Sequence, residues 1–456
     1  MKQFICFLIL FLPAIIQAQT KDEAMIRALF DEALLKGQSY AMLDYLSNTI
    51  GGRLSGSPEA AAAVEWSKQT MEALKFDHVF LQEVMVPHWV RGNKEVGRIV
   101  NSKKYGSLEV NICALGNAVG TGPEGVLAEI VEVHDFEQLE KLGKEGIAGK
   151  IVFFNRPMDP TKINTFSAYG GAVNQRGSGA SEAAKYGAVG VVIRSMGLNE
   201  EDYPHTGSLN YALNLPKIPA VSISTKHADL LSKLRKTDPT LHFYFETHCM
   251  MLEEELSYNV IGELKGSVRE KQYIVVGGHL DSWDIGDGSH DDGAGCVQSI
   301  EALRLLQAVG YKPRHTLRAV MFMNEENGLR GGRKYAEIAE EKKEKHIAAI
   351  ESDRGGFVPR GFSLFMDDKT REKIQRWAGL FDPYGMGDFN QKGGGADISP
   401  LSSQGVPLLG LLPDSQRYFN YHHTAMDTFD TVEKRELEMG AAALAAMLYL
   451  IDTYGL

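Results

Sequence analysis

The chain is poor in cysteine, with four among 456 residues, and one of these, Cys6, lies in an apolar N-terminal stretch. The other three are Cys113, Cys249 and Cys296, an odd and sparse set that excludes a disulfide framework. A single Cys113–Cys249 bridge stays open at this stage. The sequence also lacks an Asn-x-Ser/Thr sequon, which favours a bacterial periplasm or exterior over a eukaryotic secretory route.

Basic residues are too few to balance the acidic ones, since 48 Lys and Arg stand against 59 Asp and Glu. The net charge of −11 argues against nucleic acid or an anionic membrane as a partner. Two hydrolase motifs are also missing. There is no complete G-x-S-x-G and no H-E-x-x-H, which excludes a serine-hydrolase elbow and the commonest single-zinc protease pattern.

The N-terminus has the pattern of a secretory signal. Lys2 supplies a positive start, residues 4–16 are apolar, and small residues around Ala14 and Ala18 predict cleavage after Ala18. A membrane anchor is the alternative, but it would need about 20 apolar residues. We therefore expect a secreted or periplasmic protein without a membrane anchor.

The length of the chain predicts two domains, because 456 residues exceed one ordinary core. From residue 257 onward strands alternate with helices, which predicts a largely parallel sheet covered by helices on both faces. The strands are expected at 273–276, 316–323, 347–350 and 406–412. Residues from about 105 to 250 instead combine short strands with frequent Gly and Pro, which is typical of a small inserted domain.

Acidic residues and histidines follow the predicted strands of the second half. They are His279 and Asp281 after the first strand, Asp291 at the start of the next helix, Glu325 and Glu326 after the second strand, Asp353 after the third and His423 beyond the fourth. Taken singly, each is typical of a solvated strand end, a helix cap or a structural histidine. Because the carboxyl ends of parallel strands meet at one edge, we expect them to form one cluster. Such a donor set suits two zinc ions that share a bridging carboxylate.

Glu325 and Glu326 are adjacent carboxylates that repel each other, so a fold that keeps them needs a counter-charge. Two zinc ions would supply it, make hydroxide available near neutral pH and polarise a carbonyl. A neighbouring carboxylate would carry a proton to the leaving amine, so metal-assisted amide hydrolysis is the predicted reaction. Side chains alternate along a strand, so Asp281 lies on the same side as His279 and is predicted to fix its tautomer.

Five segments resemble, in the same order, the motifs of the M28 family of di-zinc exopeptidases: 278–281, 291–295, 324–328, 351–353 and 423–427. Two further segments, 147–152 and 183–192, are similar to the protease-associated domain that is inserted in secreted members of this family. The resemblance implies an α/β fold, in which a three-layer αβα peptidase domain with a mostly parallel sheet spans 19–104 and 251–456. It implies a small β-rich protease-associated domain at 105–250.

Carried over by position, the resemblance implies five metal ligands: His279 and Asp353 on one zinc ion, Glu326 and His423 on the other, and Asp291 between both. Glu325 would be the general base and acid, and Asp281 would orient His279. The Asp291–Asp292 peptide bond is expected to be cis. The resemblance also implies a peptide substrate and a homodimer.

Several alternatives stay open on the sequence alone. His422 competes with His423 as a ligand, although the spacing to Asp427 favours His423 and leaves His422 to face substrate or solvent. Tyr421 and Asp397 are further candidates for substrate binding; Asp397 lies in a Gly-rich loop that is either a linker or a pocket wall. Intact ligand positions weigh against a non-catalytic, receptor-like peptide-binding protein. A dipeptidase and an aminopeptidase acting on longer peptides are not distinguished.

Overall fold

The computed structural model describes residues 20–456, so the predicted signal peptide and Cys6 lie outside the described residues. The helices are α1 (Lys21–Lys36), α2 (Ser39–Asp44), α3 (Pro58–Ala73), α4 (Phe136–Ile147), α5 (Thr165–Gly170), α6 (Asn174–Ala184), α7 (Thr225–Thr237), α8 (Ala294–Ala308), α9 (Arg330–Glu341), α10 (Asp368–Gln375), α11 (Ala378–Phe381) and α12 (Lys434–Tyr454). The strands are β1 (His78–Val86), β2 (Trp89–Val90), β3 (Val96–Ser102), β4 (Gly106–Glu109), β5 (Ile112–Ala114), β6 (Val126–Val133), β7 (Ile151–Phe154), β8 (Gly190–Arg194), β9 (Ala220–Ile223), β10 (His242–Glu246), β11 (Met250–Met251), β12 (Glu255–Leu264), β13 (Arg269–His279), β14 (His315–Phe322), β15 (Lys345–Glu351), β16 (Pro359–Phe365) and β17 (Leu408–Pro413).

Seven strands form the first sheet, in the order β1-β12-β14-β13-β15-β17-β16. The strands β14, β13, β15 and β17 pair in parallel and occupy its centre. The other three pairings, β1 with β12, β12 with β14 and β16 with β17, are antiparallel. The parallel arrangement predicted from the strand–helix alternation is therefore present where the candidate residues lie, and antiparallel strands extend the sheet at both edges.

Helices cover both faces of this sheet. On one face α8 and α12 pack against each other, and α1 packs against α12. On the opposite face Tyr335 and Ala339 of α9 join a buried cluster with Val320 and Phe322 of β14. The three layers are those of the αβα domain that the sequence predicts.

The final helix, α12, is buried along most of its length. Among the described helices it is the one long and apolar enough to cross a membrane, and 83% of its apolar window is buried inside the protein. Ala441, Ala442, Ala443, Ala445 and Ala446 are fully buried, and these short side chains permit close packing against neighbouring helices. Burial on every side is typical of a central core helix.

A second sheet of eight strands has the order β4-β3-β10-β6-β7-β8-β9-β5. Its strands β6, β7, β8 and β9 are parallel, and its first strand begins at Val96, upstream of the expected boundary at 105. The helices α4, α6 and α7 connect its strands. Cys113, Cys249 and Cys296 are buried and free, so the Cys113–Cys249 bridge left open by the sequence is absent.

The two sheets meet around Trp283, which belongs to one buried cluster with Trp89, Ala114 and Phe419. Gly116, from the segment that follows β5, lies against the Trp283 ring. A Cβ atom at Gly116 would lie 1.8 Å from Cη2 of Trp283, so the close approach requires glycine. The Trp283 ring in turn meets His423 edge-on, with 5.7 Å between ring centroids. The Trp283 side chain, which packs between the two sheets, therefore also contacts the candidate ligand His423.

Candidate metal centre

The residues predicted at the ends of the parallel strands lie together. His279 is the last residue of β13, Glu326 follows β14 and Asp353 follows β15. Nε2 of His279 is 3.3 Å from Oδ1 of Asp291 and 3.4 Å from Oδ1 of Asp353. Nε2 of His423 is 3.3 Å from Oδ2 of Asp291 and 3.1 Å from Oε2 of Glu326. Asp291 thus presents a different oxygen to each histidine.

The donor atoms of this cluster fit cations. His279, Asp291 and Glu326 offer ligand atoms within 4.8 Å of one another, as do Asp291, His422 and His423. Oδ2 of Asp291 and Oε1 of Glu326 are buried without a hydrogen-bond partner among the described residues. Buried carboxylate oxygens normally have a partner, and metal coordination supplies one.

Two acidic side chains, Asp427 and Asp292, fix the backbone around Asp291. The Asp427 carboxylate accepts hydrogen bonds from the backbone N–H of His290 at 2.6 Å and of Asp291 at 3.1 Å. Asp292 accepts from the backbone N–H of His279 at 3.0 Å and of Gly295, in the first turn of α8, at 2.9 Å. The Asp291–Asp292 peptide bond is cis, as the resemblance implied. Burial raises the pKa of Asp427 to about 7.

Asp281 acts differently from the sequence-based expectation, in which its side chain fixes the His279 tautomer. Nδ1 of His279 donates instead to the Asp281 carbonyl oxygen at 2.9 Å, which leaves Nε2 free to face the carboxylates. The Asp281 carboxylate accepts the backbone N–H groups of three successive residues after β14: Asn324 at 2.7 Å, Glu325 at 3.0 Å and Glu326 at 3.4 Å. This happens because the loop after β14 folds over the end of β13. Asp281 therefore positions Glu325 and Glu326.

Burial and crowding of charge shift the pKa values in the cluster. Burial would raise the pKa of Asp291, but the neighbouring imidazoles of His279 and His423 outweigh it and hold this pKa well below its ordinary value. Burial raises the pKa of Glu325 well above its ordinary value, and the charges of Asp353 and Glu326 add to the shift. The pKa of Glu326 is raised in the same way, by burial first and then by Asp291.

His422 lies directly beside His423. The two rings stack with 3.6 Å between centroids, and Nε2 of His422 is 3.8 Å from Oδ2 of Asp291. His422 is thus close to the cluster, whereas the nearer contacts to both Asp291 and Glu326 belong to His423. Burial lowers the pKa of His422 well below its ordinary value.

Neither of the two other substrate candidates is among the residues whose ligand atoms cluster. Tyr421 stacks on His290 and Phe357, with centroid distances of 5.1 and 6.1 Å. Asp397 is 1% exposed, and both of its carboxylate oxygens lack a partner among the described residues. The Gly-rich loop before it does form a pocket wall, since Gly394 and Gly395 line a cavity beside Asp353, but Asp397 itself lies outside that lining.

Arg53 is a buried residue that sequence reasoning about the site missed. Its guanidinium donates to the carbonyl oxygens of Leu280 at 2.6 Å, Asp287 at 2.9 Å and Gly288 at 2.9 Å. These carbonyls belong to the segment that links His279 to Asp291, so Arg53 holds the path of that segment. The sequence feature that could have indicated Arg53 is the Gly51-Gly52-Arg53 stretch in the loop before α3. Its composition alone predicts only an ordinary turn.

A second missed contribution comes from the region of the second sheet. The backbone N–H of Thr206 donates to the His423 carbonyl oxygen at 2.8 Å, and Nδ1 of His423 donates to the Thr206 carbonyl oxygen at 3.3 Å. Nη1 of Arg176, in α6, lies 3.4 Å from the same Nδ1. No local pattern connects these segments to His423, because they are more than 200 residues apart in the chain.

Sequence comparison identifies the class of protein. The profile of Peptidase family M28 matches residues 259–448. Carboxypeptidase Q from Bos taurus and from Homo sapiens are each 33% identical to the chain over 416 residues, which is 91% of this chain and 85% of theirs. Carboxypeptidase Q from Xenopus laevis is 34% identical over 91% of this chain and 86% of its own length. The chain is a peptidase, and it belongs to peptidase family M28.

Solved structures agree with this assignment. The Peptidase M28 precursor from Shewanella amazonensis SB2B is similar with a TM-score of 0.88 and 31% identity, over 94% of this chain and 96% of that chain. The zinc aminopeptidase BSAP from Bacillus subtilis has a TM-score of 0.65 and 19% identity, over 91% and 94% of the two chains. The second likeness shows a shared fold.

Proposed function

We propose that this chain is an exported exopeptidase that holds two zinc ions and hydrolyses dipeptides or other short peptides, with Glu325 carrying the proton. One observation carries the proposal: Asp291 presents one carboxylate oxygen to His279 and the other to His423. A carboxylate shared between two donor sets is what two ions about 3.5–4 Å apart require.

The donor set fits zinc, whose common ligands are imidazole nitrogen and carboxylate oxygen. His279 and Asp353 would hold one ion, Glu326 and His423 the other, and Asp291 both. Bound zinc polarises the scissile carbonyl and lowers the pKa of water. The fold neighbour from Bacillus subtilis is a zinc aminopeptidase, which supports this choice of metal.

Glu325 is the residue that we propose moves the proton. Its backbone is fixed by the Asp281 carboxylate at 3.0 Å, next to the candidate ligand Glu326. Burial raises its pKa well above the ordinary value. A carboxylate held beside the candidate ligands accepts a proton from the attacking water and then gives it to the leaving amine.

Two competing functions are less well supported. A non-catalytic, receptor-like peptide-binding protein has no need for all five ligand positions together with Glu325. An aminopeptidase acting on longer peptides shares the fold, as the Aneurinibacillus aminopeptidase shows at 22% identity, but the relatives at 32–34% identity are carboxypeptidase Q proteins. The proposal includes export after cleavage at Ala18 and a protease-associated domain at 105–250, which the separate second sheet supports.

A panel of dipeptides tests the proposal on the purified chain from residue 19 onward. We expect hydrolysis that a chelator abolishes and zinc restores, and about two zinc ions per chain by elemental analysis. Glu325→Gln is expected to keep the metal and to lose kcat by ~10²–10⁴-fold, because it removes the general base. Glu326→Gln is expected to lose metal, because an amide oxygen is the weaker ligand.

Glu341→Gln is the matched control, since Glu341 is an exposed residue at the end of α9. It should keep wild-type activity and zinc content. Wild-type protein without chelator-sensitive hydrolysis would refute the proposed function. Equal loss of metal in Glu325→Gln and Glu326→Gln would refute the division of roles between the two residues.

A further inference from the structure

Arg91 lies where the chain passes from the first sheet to the second, between β2 and β3, and its side chain is 10% exposed. Its guanidinium binds the Asp284 carboxylate through two bonds, from Nη2 to Oδ1 at 2.6 Å and from Nε to Oδ2 at 2.9 Å. This is the bidentate geometry of a strong arginine–carboxylate pair. Asp284 belongs to the segment between His279 and Asp291, so the ion pair ties the passage between the sheets to the segment that joins two candidate ligands.

The same guanidinium also binds residues of the second sheet and its loops. Nη1 of Arg91 donates to the Ala114 carbonyl oxygen, at the end of β5, at 2.7 Å. Nη2 donates to Oγ1 of Thr206 at 3.4 Å, and that hydroxyl donates in turn to the Ala114 carbonyl oxygen at 2.9 Å. These three hydrogen bonds close a ring, so Arg91 fixes the position of Thr206.

Thr206 in turn fixes the candidate ligand His423. Its backbone N–H donates to the His423 carbonyl oxygen at 2.8 Å, and its own carbonyl oxygen accepts from Nδ1 of His423 at 3.3 Å. The opposite ring nitrogen, Nε2, lies 3.1 Å from Oε2 of Glu326 and 3.3 Å from Oδ2 of Asp291. A partner on one imidazole nitrogen sets the orientation and the tautomer with which the other nitrogen meets a metal. Arg91 is therefore connected to the metal-facing nitrogen through one residue, Thr206.

The two candidate histidines are held by different parts of the chain. Nδ1 of His279 donates to the Asp281 carbonyl oxygen at 2.9 Å, two residues further along. His423 depends on Thr206, which is 217 residues away, and its φ of 61° is a backbone conformation that requires such support. We therefore distinguish a His279 site, formed by His279 and Asp353, from a His423 site, formed by His423 and Glu326, with Asp291 shared between them.

We propose that Arg91 is a positioning residue for the zinc ion of the His423 site and that it acts through Thr206. The inference rests on the proposed function and adds a difference between its two ions. The ion of the His279 site is held by residues of the first sheet, whereas the ion of the His423 site depends on the ion pair of Arg91 and Asp284 between the sheets. Arg91 binds neither metal nor substrate in this account.

Calorimetric zinc titration of the metal-free chain from residue 19 onward tests the inference, and single-site backgrounds assign the effect. Asp353→Asn is expected to leave the His423 site for zinc, and Glu326→Gln to leave the His279 site. Arg91→Met should weaken zinc binding ~10–100-fold in the first background, the usual result of removing an outer partner of a metal ligand. It should leave zinc binding unchanged in the second. Equal weakening in both backgrounds would show a general loss of structure and overturn the inference, and unchanged binding in both would overturn it as well.

Arg98→Met is the matched control, because Arg98 is 45% exposed on β3 and pairs with Glu109 at the surface. It should keep the wild-type zinc affinity in both backgrounds.

Two milder variants test the inference if Arg91→Met fails to fold. Thr206→Val keeps both backbone groups that contact His423 and removes the hydroxyl that Arg91 holds, so it should weaken the His423 site selectively and by a smaller factor. Arg91→Lys should also have an intermediate effect, because lysine retains the charge without the bidentate geometry. Wild-type zinc affinity at the His423 site in both variants would overturn the inference.

Zinc binding and hydrolysis separate this inference from the proposed function. Selective weakening of the His423 site by Arg91→Met is measured without turnover, so it supports the inference even if the wild type hydrolyses none of the dipeptides. An active wild-type enzyme in which Arg91→Met keeps both zinc affinities would overturn the inference and leave the proposed function standing.

Discussion

Replacement of Arg53 by methionine removes a buried cation that organises the segment between His279 and Asp291. Arg53 is fully buried and donates to the carbonyl oxygens of Leu280, Asp287 and Gly288. Methionine has a similar length and no donor. The three carbonyls are therefore left without this partner in a place that water does not reach.

The magnitude follows from those three hydrogen bonds. A buried polar group left unsatisfied costs about 1–3 kcal/mol, so three carbonyls cost up to about 9 kcal/mol. Part of this is recovered, because the variant no longer buries a charge and the segment relaxes. We therefore expect Arg53→Met to lose about 3–5 kcal/mol of the free energy of unfolding, the lower part of the range for three unsatisfied carbonyls.

Urea denaturation and kinetics together measure the effect. The free energy of unfolding should fall, and kcat/KM should fall about 100-fold, because displacement of catalytic groups by about 1 Å has an effect of this size. Arg27→Met is the matched control, since Arg27 is 66% exposed on α1. A variant Arg53→Met that stays within about 1 kcal/mol of the wild type would refute the reasoning.

Two further predictions concern other parts of the molecule. Burial raises the pKa of Glu438 from 4.5 to about 7. The stability that this residue contributes is therefore fully present below about pH 4.5 and is lost as the pH rises through 7, by about 3 kcal/mol. Glu438→Gln should remove this loss, so urea midpoints of wild type and variant at pH 5 and pH 8 check it; equal pH slopes would contradict it. Gly116→Ala should lower kcat/KM at least tenfold, because its Cβ would lie 1.8 Å from Cη2 of Trp283, which contacts His423. Steady-state kinetics and zinc content measure the effect, and unchanged kinetics in a folded variant would contradict it.

Elements with strong local signals were predictable from the sequence. The strands predicted at 273–276, 316–323, 347–350 and 406–412 overlap β13, β14, β15 and β17, because apolar runs end at turn residues there. The pattern did not predict β12 and β16. In β16, Pro359 and Gly361 are typical of loops, and the strand exists because it pairs with β17, a partner far away in the chain.

The candidate ligands were predictable for a geometric reason, because strands that run in parallel bring their following residues to one edge. The residues that hold those ligands in place were not predictable from the sequence. Asp427 and Arg53 act on the 280–291 segment from opposite ends of the chain, and their contacts depend on tertiary folding. The hydrogen bonds from the 324–326 backbone to the Asp281 carboxylate were unpredictable for the same reason, since that loop is remote in sequence.

The two hydrogen bonds between Thr206 and His423 bear on whether the region of the second sheet can be removed or exchanged. The two residues exchange hydrogen bonds at 2.8 and 3.3 Å, one from the backbone and one from the imidazole ring. A chain trimmed to the first sheet would lack the acceptor that orients this imidazole. Chimeras that exchange the intervening region between relatives would therefore have to keep the backbone path at residue 206, because that backbone contacts the candidate ligand His423.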